Sequence, residues 1–220
     1  MFRYLLFLVL FSLTMVSCET NPKPYFGYDY FPMEEGRFVE YEVMEIVHDE
    51  GGNPQQDTSR FKLRMVVGKE IVDNSGREAR ELIKKRYDLN TDELLDERVW
   101  TQVIDGGRAE LVEENQRKIK LVFSIGLDKV WDVNAFNTLD EELASYNNIH
   151  LPSGEFDSTV SVAYEEFVTL VDFKKKSEVY ANHIGLVSRS FKDLQINNFD
   201  SLDISSGTEQ HYRLLDYGIE

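Results

Sequence analysis

Residues 60–68, RFKLRMVVG, decide the fold. Phe61, Leu63, Met65 and Val67 share one parity, and Arg60, Lys62 and Arg64 share the other. Successive side chains of a strand point to opposite faces, so this pattern makes one dry face and one wet face. A helix would need apolar residues three and four apart. Upstream, residues 49–58 (DEGGNPQQDT) are rich in turn formers, and residues 37–48 (RFVEYEVMEIVH) alternate again. There Val39, Tyr41, Val43 and Val47 oppose Glu40, Glu42 and His48, while Phe38, Met44 and Ile46 blur the polar side. Two alternating runs around a turn predict an antiparallel hairpin.

Downstream, Asp73-Asn74-Ser75-Gly76 is a turn. The next segment, from Arg77 to Leu89, contains REARELIKKRY, whose residues favour a helix. Its position after a strand and between two turns predicts a return strand, with the helix as the alternative. Residues 98–104 (RVWTQVI) alternate, and Asp105-Gly106-Gly107 is a hairpin signal into residues 108–113. Residues 117–125 (RKIKLVFSI) direct Ile119, Leu121, Phe123 and Ile125 inward. Residues 134–148 include TLDEELASYNN, where Thr138 and Glu141 have capping-box spacing for one short helix. Residues 159–170, 178–181, 185–191 and 210–217 complete the strands, with Lys174-Lys175-Lys176 read as a solvated hairpin tip. About ten strands with 8–12-residue spacing and at most one or two short helices predict an all-β, mainly antiparallel fold: a curved meander, half-barrel or barrel-like sheet. No linker composition and no fixed-period repeat interrupts residues 30–220, which we read as one β-rich domain.

The chain has 220 residues, 24 basic and 40 acidic, for a net charge of −16. Such a surface repels a phosphate backbone, so nucleic acid is not an expected partner. With 42% hydrophobic and 12% aromatic residues, it is too apolar for a disordered chain.

The N-terminus reads as an address. Arg3 precedes an apolar run from Leu5 to Val16, too short to span a bilayer but suited to a signal peptide. The sequence Met15-Val16-Ser17-Cys18 resembles the lipobox of bacterial lipoproteins. That likeness implies removal of residues 1–17 and a diacylglycerol thioether with N-acylation (typically palmitate) on Cys18, the single cysteine of the chain. Cleavage leaves 203 residues with net charge −17, since Arg3 is the only charge lost. Residues 18–29, with Pro22, Pro24 and Gly27, read as a lipidated tether. In Bacteroidota an acidic cluster after the cysteine accompanies surface export. Here only Glu19 fits, which favours the periplasmic side of the outer membrane over the cell surface.

The mature chain also resembles uncharacterised outer-membrane lipoproteins of Bacteroidota. The likeness rests on Tyr30-Phe31-Pro32, Gly36-Arg37, Tyr41, Glu114-Asn115 and residues 119–123 (IKLVF). Trp131, residues 134–137 (NAFN), 178–181 (EVYA) and 184–187 (IGLV) extend it. It implies a β-rich envelope protein and carries no assigned activity. The last of these segments also looks like the lipid-carrying half-barrels of lipoprotein transport.

Chemistry is sparse. His48, His150, His183 and His211 show no metal-binding spacing, so no metal or other cofactor is expected, and no nucleophile motif or phosphate loop occurs. Asp88-Leu89-Asn90-Thr91-Asp92 begins like a calcium loop, but Glu93 stands where Gly is required and Val99 where an acid belongs. Asp132-Val133-Asn134 fails at its third ligand position, Phe136. The acid pairs 113–114, 141–142 and 165–166 are sequence neighbours, which a strand sends to opposite faces. Asp157-Ser158-Thr159 and Asp200-Ser201-Leu202 look like the O-glycosylation signal of Bacteroidota, giving Ser158 and Ser201 as candidate acceptors.

Two functions fit a non-enzymatic reading. The first is a structural or interaction module of the cell envelope that contacts an envelope protein. The alternative is a carrier of a lipid or other apolar ligand in the concave face of the sheet, with Tyr41, Phe61, Leu63 and Trp100 as candidate lining residues.

Overall fold

In the computed structural model, which describes residues 24–220, the decisive stretch is the middle of a strand. The signal peptide, Cys18 and the first part of the tether lie outside the described residues. Thirteen strands follow one another: β1 (Arg37–Asp49), β2 (Gln56–Val72), β3 (Glu78–Asp88), β4 (Leu94–Asp105), β5 (Arg108–Glu113), β6 (Gln116–Val122) and β7 (Val130–Asp132). Then come β8 (Leu143–Ser153), β9 (Phe156–Tyr164), β10 (Phe167–Val168), β11 (Asp172–Ala181), β12 (Gly185–Asn197) and β13 (Asp200–Ile219). They form one antiparallel sheet in the order β6-β5-β4-β3-β2-β1-β13-β12-β11-β9-β8-β7, with β10 beside β11. The about ten strands expected are present; β7 and β8 add to them, and the stretch 159–170 falls into the end of β9 and the short β10.

Parity holds where it was read most clearly. Phe61, Leu63 and Val67 are buried, and Arg60 and Arg64 form ion pairs with Glu42 and Glu40 on the neighbouring strand. Register explains the ladder: Arg64 stands opposite Glu40 and Lys62 opposite Glu42. Opposite charges facing each other across two strands favour this register over a one-residue slip, which would also turn the dry face outward.

The segment from Arg77 to Leu89 is strand β3. Two other expectations are corrected. TLDEELASYNN forms no helix; residues from Leu143 onward are strand β8, paired with β9. The capping signal is weak beside that pairing, which buries Ala144 and Tyr146, and the Glu142 amide is taken by Asp132 Oδ1 at 3.0 Å. The one helical piece among the described residues is a 3₁₀ turn at Tyr28–Tyr30. Lys174, Lys175 and Lys176 are no hairpin tip but part of β11, each held by an acid: Asp193, Glu166 and Glu142. The packed chain also begins before Tyr30: Gly27, at φ +84°, is buried where a Cβ would stand 2.8 Å from Ile125.

The sheet curls until its two ends, β6 and β7, meet. They are stitched by individual groups rather than by a strand ladder. The Ile119 amide donates to the Val133 carbonyl at 3.0 Å, and Trp131 Nε1 donates to the Ile119 carbonyl at 3.2 Å. The Tyr146 hydroxyl accepts from the Val122 amide and donates to the Val122 carbonyl, both at 3.0 Å. Asn137 Nδ2 reaches the Arg117 carbonyl at 3.0 Å. Beneath this seam lies a core of Ala109, Ile119, Leu121, Trp131, Val160 and Val162.

Tyr146→Phe keeps the ring and removes a hydroxyl that satisfies two edge groups of β6. A loss of about 1–3 kcal/mol of stability is expected, read as a lower midpoint in urea at unchanged slope.

Candidate functional site

The inward faces of β1 to β4, β12 and β13 do not fill their half of the barrel. Two adjoining hollows remain, of about 80 Å³ and about 230 Å³, which share Lys84, Trp100 and Tyr212 as walls. The smaller is lined largely by apolar groups, among them Tyr41, Met65, Val67, Leu82 and Leu186. The larger is lined by Phe61, Leu63, Glu45, Arg86, Asp96 and Arg98 with the three shared residues and Gln210. The structure therefore brings the four lining residues expected from sequence to one place: Tyr41 at the small hollow, Phe61 and Leu63 at the large one, Trp100 at both.

Strand parity positions the charged walls. On β3, Leu82, Lys84 and Arg86 share a face, with Lys84 opposite Met65 and Arg86 opposite Leu63. On β4, Trp100, Arg98 and Asp96 share that face, opposite Leu82, Lys84 and Arg86 in turn. The Lys84 ammonium lies 3.4 Å from the Trp100 ring centre, and the Arg86 guanidinium lies 3.8 Å from the Phe61 ring centre. Both cations are thus covered by aromatic faces. Neither makes an ion pair among the described residues.

Arg98, by contrast, is held by Asp96 at 2.9 Å and Glu114 at 3.0 Å, and Glu45 accepts from Gln210 at 2.8 Å. Burial pushes the Lys84 amine down from 10.5 to about 8, against the pull of Glu113 and Glu45 and with the push of Arg189 and Arg98. Three buried side-chain atoms have no hydrogen-bond partner among the described residues: Arg37 Nε, Arg86 Nε and Trp100 Nε1. All three belong to residues that wall these hollows.

A second charged group sits where the small hollow meets the packed core. Glu178 on β11 is fully buried and its two oxygens take five bonds. Lys120 donates at 2.8 Å, Arg189 twice at 2.9 and 2.7 Å, Tyr164 at 3.0 Å and Tyr180 at 2.7 Å. Burial would raise this carboxyl, but Lys120, Arg189 and the hydrogen bonds outweigh it and hold Glu178 well below the usual carboxylate range. Lys120 reaches it because β6 bulges there: Leu121 faces Ala109 and Ile119 faces Glu110, leaving Lys120 as the extra residue. With every oxygen satisfied, this group is structural.

The remaining sequence candidates stand apart. Asp88 closes a turn by accepting the amides of Asn90 and Thr91 at 2.9 Å, and Asp92 is bonded to Lys62. Asp132 similarly holds the amide of Asn134 at 2.9 Å. The Ser158 hydroxyl is 2.6 Å from the Tyr30 hydroxyl, whereas Ser201 is exposed at the start of β13. Two histidines that sequence spacing keeps apart converge on Glu209: His48 at 3.0 Å and His211 at 3.1 Å. This cluster, completed by Lys192 at 2.7 Å, lies on the parity opposite to Gln210 and Tyr212, away from the hollows. Glu110 is another buried acid, clasped by Arg77, Arg117 and Arg108.

No family model matches the chain, and no curated protein does. Two solved structures are similar to it. A "putative lipoprotein" from Parabacteroides distasonis is 12% identical, with a TM-score of 0.40 over 86% of this chain and 98% of its own. A "putative exported protein" with a YmcC-like fold, from Bacteroides fragilis, is 13% identical, with a TM-score of 0.39 over 84% of this chain and 98% of its own. Similarity of this degree carries no inference about function.

Two variants separate the two charged groups. Glu178→Gln leaves Lys120 and Arg189 buried without a counter-charge and should cost about 3–5 kcal/mol at pH 7. The lowered carboxyl contributes stability above its ordinary value of 4.5, and that contribution is lost as pH falls through the folded-state value. In urea titrations the gap between wild type and variant should therefore be full at neutral pH and narrow below about pH 4.5. Lys84→Met should do the reverse and stabilise by about 1–3 kcal/mol, because a buried ammonium without a carboxylate is removed. That penalty is fully present below pH 8, where Lys84 is charged folded and unfolded, and fades as pH rises toward 10.5.

Proposed function

We propose that this protein is a lipid-anchored cell-envelope protein that binds a small amphipathic molecule inside its curved sheet, without catalysis. In this reading Cys18 carries the anchor, residues 1–17 are removed, and the domain faces the periplasm from the outer membrane. One observation carries the binding role: the interior between β1 to β4, β12 and β13 is hollow and walled by Tyr41, Phe61, Leu63 and Trp100, while the opposite half of the barrel is packed. A scaffold needing only stability gains nothing from unfilled space, since each missing contact costs free energy. The smaller hollow has the concave, mostly apolar walls usual in a small-molecule site, and the larger one adds charged and polar groups. The size sets the ligand: two hollows of about 80 and 230 Å³ suit a short amphiphile rather than a diacyl lipid.

A second reading, an interaction module, draws on a different surface. Phe167, Leu170, Val171, Phe199 and Leu202 are all half or more exposed. They gather where β10 and the β12–β13 turn meet, with the Phe199 amide donating to the Leu170 carbonyl at 3.1 Å. An exposed apolar patch of this kind is a common protein contact surface.

Native mass spectrometry of protein purified without detergent tests the binding role. A discrete added mass that disappears in Trp100→Ala is the expected result; an unadorned protein after incubation with short-chain amphiphiles refutes it. For the anchor, Cys18→Ala should move the protein from the membrane to the soluble fraction, and retention on the membrane would show that another element attaches it.

A further inference from the structure

Resting on the binding role above, we infer that the hollow is built for an anionic amphiphile, its oxyanion head held by Lys84, Arg86 and Trp100 and its apolar body in the space beside Tyr41, Met65 and Leu82.

The polar atoms left without partners carry this. Arg86 Nε and Trp100 Nε1 are buried donors with nothing to donate to among the described residues. The Lys84 ammonium adds three more donor hydrogens, in contact with the Trp100 face at 3.4 Å and with no carboxylate in ion-pair range. All are donors, so the complementary group is one that only accepts: a carboxylate or a phosphate. Buried donors without acceptors are costly, and a site that leaves several together gains most from a ligand that satisfies them at once. A neutral hydroxyl or carbonyl accepts from one or two of them but brings no counter-charge to Lys84 and Arg86, and an ammonium accepts from none.

The surroundings support the same sign. Glu45, Asp96 and Glu113 also line the hollows, yet Asp96 is paired with Arg98 and Glu45 accepts from Gln210, and among the described residues no carboxylate comes within ion-pair range of Lys84 or Arg86 on the one face of β3. Their positions, two residues apart on a strand, are separated by roughly 7 Å, a span that a single oxyanion group between them can bridge. These two cations sit in a chain whose net charge is −16, so long-range attraction does not draw the ligand in; recognition is by contact. Next to the head, the smaller hollow is walled mainly by apolar groups, among them Tyr41, Met65, Val67, Leu82 and Leu186, with Glu113 at its wall. Its volume of about 80 Å³ limits the apolar body to a short chain, while the larger hollow beside Lys84, Arg86 and Trp100 takes the head.

The test compares octanoate, octyl phosphate, octanol and octylammonium on the full chain purified without detergent, read by tryptophan fluorescence and calorimetry below micelle-forming concentrations. Octanoate or octyl phosphate should bind at least about tenfold tighter than octanol, and octylammonium weakest. The tighter of the two anions identifies the head group. The Lys84→Met/Arg86→Met variant should bind octanoate and octyl phosphate no tighter than octanol, with circular dichroism and an unchanged urea slope reporting that its fold is intact. Lys84→Arg, which keeps the charge and the donors, should retain the anion preference. Equal affinity for octanoate and octanol, or an anion preference that survives the double variant, overturns the anionic site and leaves the binding role standing. Binding of none of the four overturns both.

Discussion

Everything in this molecule turns on one ion group that crosses the interior. Glu178 sits on β11 and Arg189 on β12, whereas Lys120 comes from β6, at the far end of the sheet order. A sheet of thirteen strands has no intrinsic reason to bring its ends together. Here the cost of desolvating a carboxylate is met only if both cations reach it, so the curl and the charge are mutually dependent. Tyr164 and Tyr180 complete the shell, leaving no lone pair of Glu178 unused. Buried ionic groups of this kind fix geometry more surely than they add stability: an apolar core would permit several curvatures, whereas five directed bonds permit one.

That centre divides the barrel into unlike halves. On the β6–β9 side, Trp131, Tyr146, Val160 and Val162 pack into a continuous core. On the β1–β4 side, a smaller cluster of Tyr41, Val43, Phe61, Leu63 and Tyr212 lines space instead of filling it. The contrast follows from what β3 and β4 direct inward. Lys84, Arg86 and Arg98 occupy positions where aliphatic residues would close the gap, and long cationic side chains cannot interdigitate as leucine and valine do. One half is packed and the other holds the hollows.

How much of this was legible beforehand varies along the chain for physical reasons. The strand at residues 60–68 declares itself because its inward positions are apolar and its outward ones basic. The return strand after Arg77 was ambiguous because Lys84 and Arg86 stand at inward positions, erasing the alternation that marks a half-buried strand. The feature that blurs the secondary structure is thus the one that makes the site. TLDEELASYNN misled in the opposite sense: its spacing fits a helix cap, yet Asp132, ten residues upstream, takes the Glu142 amide that would make the first helical bond to the Thr138 carbonyl. Tyr41, Phe61, Leu63 and Trp100 could be picked out as lining residues from parity and size alone. That His48 and His211 share Glu209 depends on β1 meeting β13 across more than a hundred residues, and no local pattern records that.

The seam between β6 and β7 has a further consequence. A terminal strand of an open sheet usually presents a row of bare amides and carbonyls, to which a second molecule can add its own strand. On β6 those groups are spoken for at 117, 119 and 122 by an asparagine amide, an indole and a phenol together with one main-chain bond. Side chains that occupy these positions cap the strand without extending it. Crowding many copies at close quarters therefore offers β6 no template for ribbon growth, and the protein is guarded at this boundary against polymerising with itself.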